Sequence, residues 1–209
     1  MKRSILDKII HITVEVITLH KIMSYVKTYD NVLSQDLCDR IIKKFEAHPE
    51  QHVVTYLENH RSFTEINLNR NPDDWNEELQ ILIGTMQAYL KRYKQDVGVD
   101  DRSWPKQNGY EELRMKRYLP NSKDYFKFHV DVNDYSSARR FLVYFWYLND
   151  VEEGGETGFQ LNRNTQPKLK IQPKAGKLLM FPPLWTHPHV AYPPISSAKY
   201  IIGGYLHYI

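Results

Sequence analysis

A chain of 209 residues is long enough to bury one core and is short for two, so a single domain is the starting expectation. Lys and Arg outnumber Asp and Glu by only 28 to 25, a formal charge of +3 that is too mild to specify nucleic acid or an anionic membrane as partner without a local patch. The lone cysteine, Cys38, excludes an intrachain disulfide and fits a reducing compartment.

Residues 1–22 are apolar but broken by Asp7, Lys8, His11, Glu15 and His20. No run approaches the ~20 apolar residues of a membrane span, and no small-residue cleavage site follows, so a cytoplasmic location is expected. The segment reads as an uncertain N-terminal extension, an extra helix or strand on the domain, or a stretch ahead of a natural start at Met23. From there the domain is expected to run over residues 23–209.

Tyr25 to Val32 reads as a short strand. Ser34 is a plausible N-cap for a helix that presents Leu37, Ile41, Ile42 and Phe45 on one face. Short strands follow at 52–56 and 62–66, then a polar break over 67–74. A longer helix is expected from Trp75 to Tyr93, with Leu79, Leu82, Met86 and Leu90 near helical spacing. Helical support thus occupies about 34–100. Beyond it the text is nearly all strand: 111–118, 125–130, 140–148, 157–161, 168–172, 177–181, 187–192 and 199–208. Turn signals at Pro120-Asn121, Gly154-Gly155, Lys174–Gly176 and Pro193-Pro194 separate several of these strands. Fifteen Tyr, eight Phe and four Trp suit strands more than helices. Eight strands at this spacing predict a double-sheet jelly roll of the cupin kind, a double-stranded β-helix with helices packed on it.

Chemistry concentrates at His129-Val130-Asp131. On an extended strand side chains alternate, so a His and an Asp two apart face one side and can reach one metal ion. A second His from a distant strand would complete two His and one carboxylate on one face of an octahedral ion, the set of non-haem Fe(II) oxygenases. His187 and His189 both qualify, and strand alternation puts them on one face. Lys199, ten residues after His189 across the Pro193-Pro194 turn, favours His189, because a returning strand would bring its ammonium toward the metal as a clamp for a small carboxylate.

Other residues have plainer readings. His187 is better taken as a hydrogen-bonded strand histidine. Glu152, Glu153 and Glu156 read as a solvated hairpin, Lys168, Lys170, Lys174 and Lys177 as a charged strand face rather than a nucleic-acid site, and the aromatic residues Phe141 and Tyr144 to Tyr147 as core and cleft wall.

Taken together, His129-Val130-Asp131, Arg140, the run Tyr147 to Thr157, Pro173 to Gly176, Phe181, His189, Pro193 and Lys199 resemble the Fe(II)- and 2-oxoglutarate-dependent oxygenases, and within them the prolyl 4-hydroxylase group. The resemblance spans roughly residues 110–209. It implies His129, Asp131 and His189 as iron ligands, with three positions left for 2-oxoglutarate and dioxygen. It implies Lys199, Thr157 and Tyr118 around the distal carboxylate of 2-oxoglutarate, with Tyr125 as rival to Tyr118, and ascorbate as a stimulant. Arg140 would contact a peptide substrate and Tyr205 would line its cleft where the family often has Trp. Val132 departs from the aromatic residue common after the Asp, and the segment from Asp131 to Arg140 is short.

The reading carried forward is an Fe(II)/2-oxoglutarate dioxygenase that hydroxylates a prolyl residue of a protein or peptide, with release of succinate and carbon dioxide. The alternatives are the same iron chemistry on a small molecule, free amino acid or nucleobase, and a non-catalytic jelly-roll binding module.

Overall fold

A strand whose two faces both meet apolar neighbours must be apolar throughout, whereas one that lines a site alternates apolar with polar residues. Both patterns occur in this fold. In the computed structural model, residues 24–120, 123–160 and 164–209 are described; the expectations for residues 1–22 and Met23 lie outside them. The elements in chain order are β1 (Lys27–Tyr29), α1 (Gln35–Ala47), β2 (Val53–Leu57), β3 (Arg61–Asn67), α2 (Pro72–Val97), β4 (Asn108–Tyr110), β5 (Arg114–Tyr118) and β6 (Tyr125–His129). They continue with β7 (Arg140–Tyr147), β8 (Thr157–Phe159), β9 (Leu169–Ile171), β10 (Leu178–Phe181), β11 (His189–Ala191) and β12 (Lys199–Tyr208).

Both helices begin where their sequences say they should. Ser34 caps α1, its side chain accepting from the Leu37 amide at 3.3 Å, and Asp36 sits in the first turn where the helix dipole favours it. Pro72 opens α2, three residues before the predicted start, because its missing N–H costs nothing there. Gly98, at φ 67°, ends it in the left-handed conformation that glycine adopts without strain. No helix among the described residues is long and apolar enough to cross a membrane.

All strands join one antiparallel sheet, ordered β1-β10-β7-β12-β5-β3-β6-β11-β8-β9, with β2 added on β3 and β4 on β12. The eight predicted strands of the second half are therefore β5 to β12, arranged as two groups of four: β5, β12, β7, β10 and β6, β11, β8, β9. The sheet curls, with β3 as the seam. It pairs with β5 from Thr64 to Asn67 and with β6 through Arg61 and Ser62. This is the expected jelly roll. The strand β4 was not expected; it is only three residues, too short to show alternation.

Two apolar clusters follow from the alternation. Leu142, Tyr144, Trp146, Ile202 and Leu206 face out and pack with Ile41, Phe45, Trp75, Leu82 and Met86 of the helices. Val143, Phe145, Tyr147, Ile201 and Tyr205 face in, where they meet Phe159, Leu179 and Phe181. Each fully buried side chain of this kind contributes roughly 1.5–3 kcal/mol, so the larger outer cluster holds the helices to the sheet and the smaller inner one leaves room in the barrel.

One irregularity positions the site. His189 pairs with His129, but Ala191 pairs with Phe126, so β6 spends three steps where β11 spends two. The extra residue is a β-bulge. It turns both Phe126 and His129 to the cavity side, which strict alternation forbids.

Candidate active site

His129 ends β6 and His189 opens β11 directly opposite. Asp131 is not on the strand, contrary to the alternation argument; it lies in a bend two residues past its end. The bend is held by the Asp131 and Val132 amides, which donate to the Pro183 carbonyl at 3.1 and 3.2 Å. From there the carboxylate still reaches the histidines. Ligand atoms of His129, Asp131 and His189 all lie within 4.8 Å of one another. Each Nε2 is 3.5 Å from a different Asp131 oxygen, His129 from Oδ1 and His189 from Oδ2.

The hydrogen bonds behind these groups fix what they present. His129 Nδ1 is 2.6 Å from the Lys127 carbonyl, and His189 Nδ1 is 3.1 Å from the His187 carbonyl. A carbonyl only accepts, so each Nδ1 carries the proton and each Nε2 turns a lone pair inward. Burial lowers the His189 pKa to about 4, with His129 adding to the effect and Asp131 opposing it, so the ring is neutral at neutral pH. Burial alone would raise the Asp131 pKa, but His189, His129 and the Tyr205 hydroxyl outweigh it and hold the carboxyl ionised. Phe126 stacks on His129 with centroids 3.5 Å apart and planes 6° from parallel, which fixes the ring's plane.

His187 stays out of this cluster. It sits in the turn before β11, its ring nitrogen 2.8 Å from Thr186 Oγ1 and its edge toward Tyr25. The predicted strand 187–192 begins only at His189, so alternation does not apply to His187.

A second constellation surrounds Lys199, which pairs with Tyr118 across the β5–β12 register. Lys199 is 1% exposed; its ammonium donates to the Gly155 carbonyl at 3.0 Å and lies 4.4 Å over the Tyr118 ring. Burial lowers its pKa to about 7, only partly offset by Glu156. The Gly154-Gly155 turn that supplies the carbonyl has φ of 75° and 73°, and a side chain on Gly154 would come within 2.6 Å of the Pro193 carbonyl. Thr157 is buried nearby, and its hydroxyl accepts from Tyr147 at 2.7 Å. Tyr125, the rival of Tyr118, is half-buried under the Lys127 ammonium, whereas the ring under Lys199 is that of Tyr118.

Arg140 and Tyr205 line a cavity of about 620 Å³ together with His129 and Asp131. Both also brace the carboxylate. Tyr205 donates to Asp131 Oδ1 at 3.0 Å, and Arg140 lies 4.1 Å over the Tyr205 ring while donating to the Asp131 carbonyl at 3.1 Å. Glu111 fixes Arg140 in turn, accepting two hydrogen bonds at 2.7 and 2.9 Å. The roles of Glu111, Tyr147 and Phe126 were not anticipated from sequence. Tyr147 alone left a trace, a hydroxyl at an inward position of an otherwise apolar strand.

Residues 113–207 match the family model of the 2OG-Fe(II) oxygenase superfamily. That segment carries the sequence pattern of the superfamily. Among solved structures, the viral collagen prolyl hydroxylase of Paramecium Bursaria Chlorella virus-1, as its 2OG complex, superposes with a TM-score of 0.62 at 20% identity, over 88% of this chain and 96% of that one. A Pseudomonas putida prolyl-4-hydroxylase gives 0.63 at 14% identity, over 93% and 98% of the two chains. A prolyl hydroxylase from Trichoplax adhaerens, in complex with a hypoxia inducible factor oxygen degradation domain peptide fragment, gives 0.68 at 14%, over 99% and 94%. At these identities the likeness is one of fold. No curated protein sequence matches significantly.

The residues present fit the metal and co-substrate of a 2OG-Fe(II) oxygenase. Asp131 Oδ2 is buried with no hydrogen-bond partner, and two imidazole lone pairs converge on the same space. Three electron-rich atoms this close repel one another unless a cation lies between them. At the Lys199 end the mismatch has the opposite sign. A buried ammonium there has a carbonyl and an aromatic face as its contacts, an arrangement completed by a carboxylate. Lys199, Thr157 and Tyr118 do not line the open cavity; Ile201 and Phe145, two residues along the same strands from Lys199 and Tyr147, do.

Proposed function

We propose that this 2-oxoglutarate-dependent dioxygenase hydroxylates a prolyl residue of a protein or peptide. The observation that carries the iron chemistry is the convergence of His129, Asp131 and His189 with an orphaned carboxylate oxygen at its centre. The peptide substrate is supported by the fold shared with three prolyl hydroxylases, one of them solved with a peptide fragment. The 620 Å³ cavity adds to this support, since Thr55, His60, Arg61, Phe63 and Glu65 of the β2–β3 hairpin form part of its wall, and the same hairpin exposes Val53, Val54, Tyr56 and Leu57.

When bound, ferrous iron and 2-oxoglutarate supply the oxidant, one oxygen atom passing to the substrate and the other to succinate as carbon dioxide leaves. The chain's own residues hold this chemistry in place. The two Nδ1–H groups, tied to backbone carbonyls, fix the orientation in which each Nε2 is aimed inward. Tyr205 holds one Asp131 oxygen, leaving the other free for the metal. Lys199 and Thr157 receive the distal carboxylate of 2-oxoglutarate in a dry pocket walled by Tyr118, where an ion pair is stronger than in water. Arg140 and Tyr205 form the wall along which the substrate lies.

Incubation with Fe(II), ascorbate and 2-oxoglutarate, with and without proline-rich peptides, tests the proposal. The expected result is succinate released in step with a gain of one oxygen on proline, mapped by mass spectrometry. Turnover with other substrates and not with peptides would remove the prolyl assignment, and no turnover with any would remove the enzyme.

A further inference from the structure

Two cations of the cavity wall stand outside its hydrogen-bonded ion pairs. Arg61, Arg114, Lys116 and Arg140 are its Lys and Arg residues. Arg114 donates to Glu65 at 3.0 Å and Arg140 to both oxygens of Glu111, so these two are neutralised within the wall. Arg61 and Lys116 are not. Arg61 Nε is buried without a hydrogen-bond partner, its guanidinium carbon 5.7 Å over the Phe126 ring. Lys116 Nζ lies 4.8 Å over the Phe63 ring and has no hydrogen-bond acceptor among the described residues. It pairs in register with Glu65, but that carboxylate already accepts from Arg114 and from the Thr55 hydroxyl at 3.3 Å. Burial lowers the Lys116 pKa, with the negative charges of Glu65 and Asp131 working against it.

The two cations are within electrostatic reach of each other, Arg61 being among the charges that lower the Lys116 pKa. Phe63 and Phe126, their aromatic platforms, have centroids 6.1 Å apart, and Phe126 is the ring that stacks on His129. An anion held between Arg61 and Lys116 would therefore sit beside the metal ligands, on the cavity side of the barrel. It would be separate from the Lys199 pocket, which serves the co-substrate. Glu65 and Asp131 act on Lys116 through space, but the Arg61 Nε and the Lys116 ammonium keep donors that no acceptor among the described residues fills, and an incoming anion would fill them. A guanidinium beside an ammonium suits a carboxylate.

We infer that the substrate of this oxygenase carries a carboxylate near the carbon that reacts, held by Arg61 and Lys116. The inference rests on the proposed oxygenase reading and narrows its substrate to an acidic residue adjoining the proline or to a free amino acid.

Calorimetric binding to the protein loaded with Mn(II) and 2-oxoglutarate, which needs no turnover, separates these sources. The probes are proline peptides with Glu or Gln on either side of the proline, and free proline against prolinamide. The expected result is at least about tenfold tighter binding of the carboxylate member in one pair, which names the source. That preference should disappear in Lys116→Met and in Arg61→Met and survive in Lys116→Arg, which also controls for folding. Equal binding within every pair, no binding of any probe, or a Lys116→Met defect confined to 2-oxoglutarate affinity would overturn the inference. A carboxylate preference without succinate formation by the Fe(II) protein on the preferred probe would instead count against the oxygenase reading alone.

Discussion

Along β7 and β12, neighbouring residues of one strand serve opposite sides of the sheet. Leu142, Tyr144, Trp146, Ile202 and Leu206 pack outward under the helices, while Val143, Phe145, Tyr147, Lys199 and Tyr205 share the inward parity. The outward face is almost wholly apolar and gains by burial, against the cost of a Tyr144 hydroxyl and a Trp146 indole N–H buried without hydrogen-bond partners. On the inward face polar groups are set among apolar ones, and they are either matched with a partner, as Tyr147 is with Thr157, or left without a counter-charge, as Lys199 is. The difference teaches that on the inward face of this fold a buried charge lacking its complement marks ligand space, and that stability and activity are divided between alternate residues.

Substitutions on the two faces should therefore fail differently. The largest effect is expected from Asp131→Ala, which removes the only carboxylate of the triad. Succinate formation should fall below detection and calorimetry should show no tight metal binding; ordinary turnover would refute the ligand assignment. Next comes the outward face. Ile202→Ala, at a fully buried position, should cost about 2–5 kcal/mol in urea unfolding, with turnover per folded molecule unchanged.

Lys199→Met should invert that outcome, weakening 2-oxoglutarate binding about a hundredfold or more while raising the melting temperature of the co-substrate-free protein. The sign follows from titration. The folded pKa of about 7 lies below the ordinary 10.5, so unfolding takes up a proton between those values and the free protein becomes more stable as pH rises through that window. On the proposed role of Lys199, binding of 2-oxoglutarate would restore the ammonium, so above pH 7 its affinity should fall by up to about tenfold per pH unit. Binding isotherms at two pH values, for wild type and Lys199→Met, check both statements. The smallest effect is expected from Tyr205→Phe. Loss of the bond to Asp131 Oδ1 should weaken metal affinity by about tenfold and leave 2-oxoglutarate affinity at saturating metal nearly unchanged.

The fold was legible because β5 to β12 are short runs rich in strand-forming residues between strong turn signals, and because Ser34 and Gly98 punctuate the helices through their own backbone and side-chain chemistry. The triad was legible by spacing, although for a partly mistaken reason. Asp131 reaches the site from a bend, where its amide is tied to Pro183, and not by strand alternation. The bulge in β6 had no signature, since it arises from the mismatch between two strands far apart in the chain. For the same reason Glu111, Arg140 and Tyr205 could not be joined from sequence; Glu111 and Arg140 are 29 residues apart and meet only when β12 pairs with β7. Lys116 went unnoticed because a lysine in a strand ordinarily reads as the solvent side.

The bulge has a consequence for how this barrel tolerates change. It separates the pairing of β6 with β11 from the heading of the imidazole that ends β6. Deleting one residue between Phe126 and His129 would regularise the ladder and swing that imidazole away from the cavity, leaving a well-zipped barrel deaf to metal. Within this architecture, then, scaffold and catalyst are one deletion apart, and a metal titration set beside a melting curve would measure the distance.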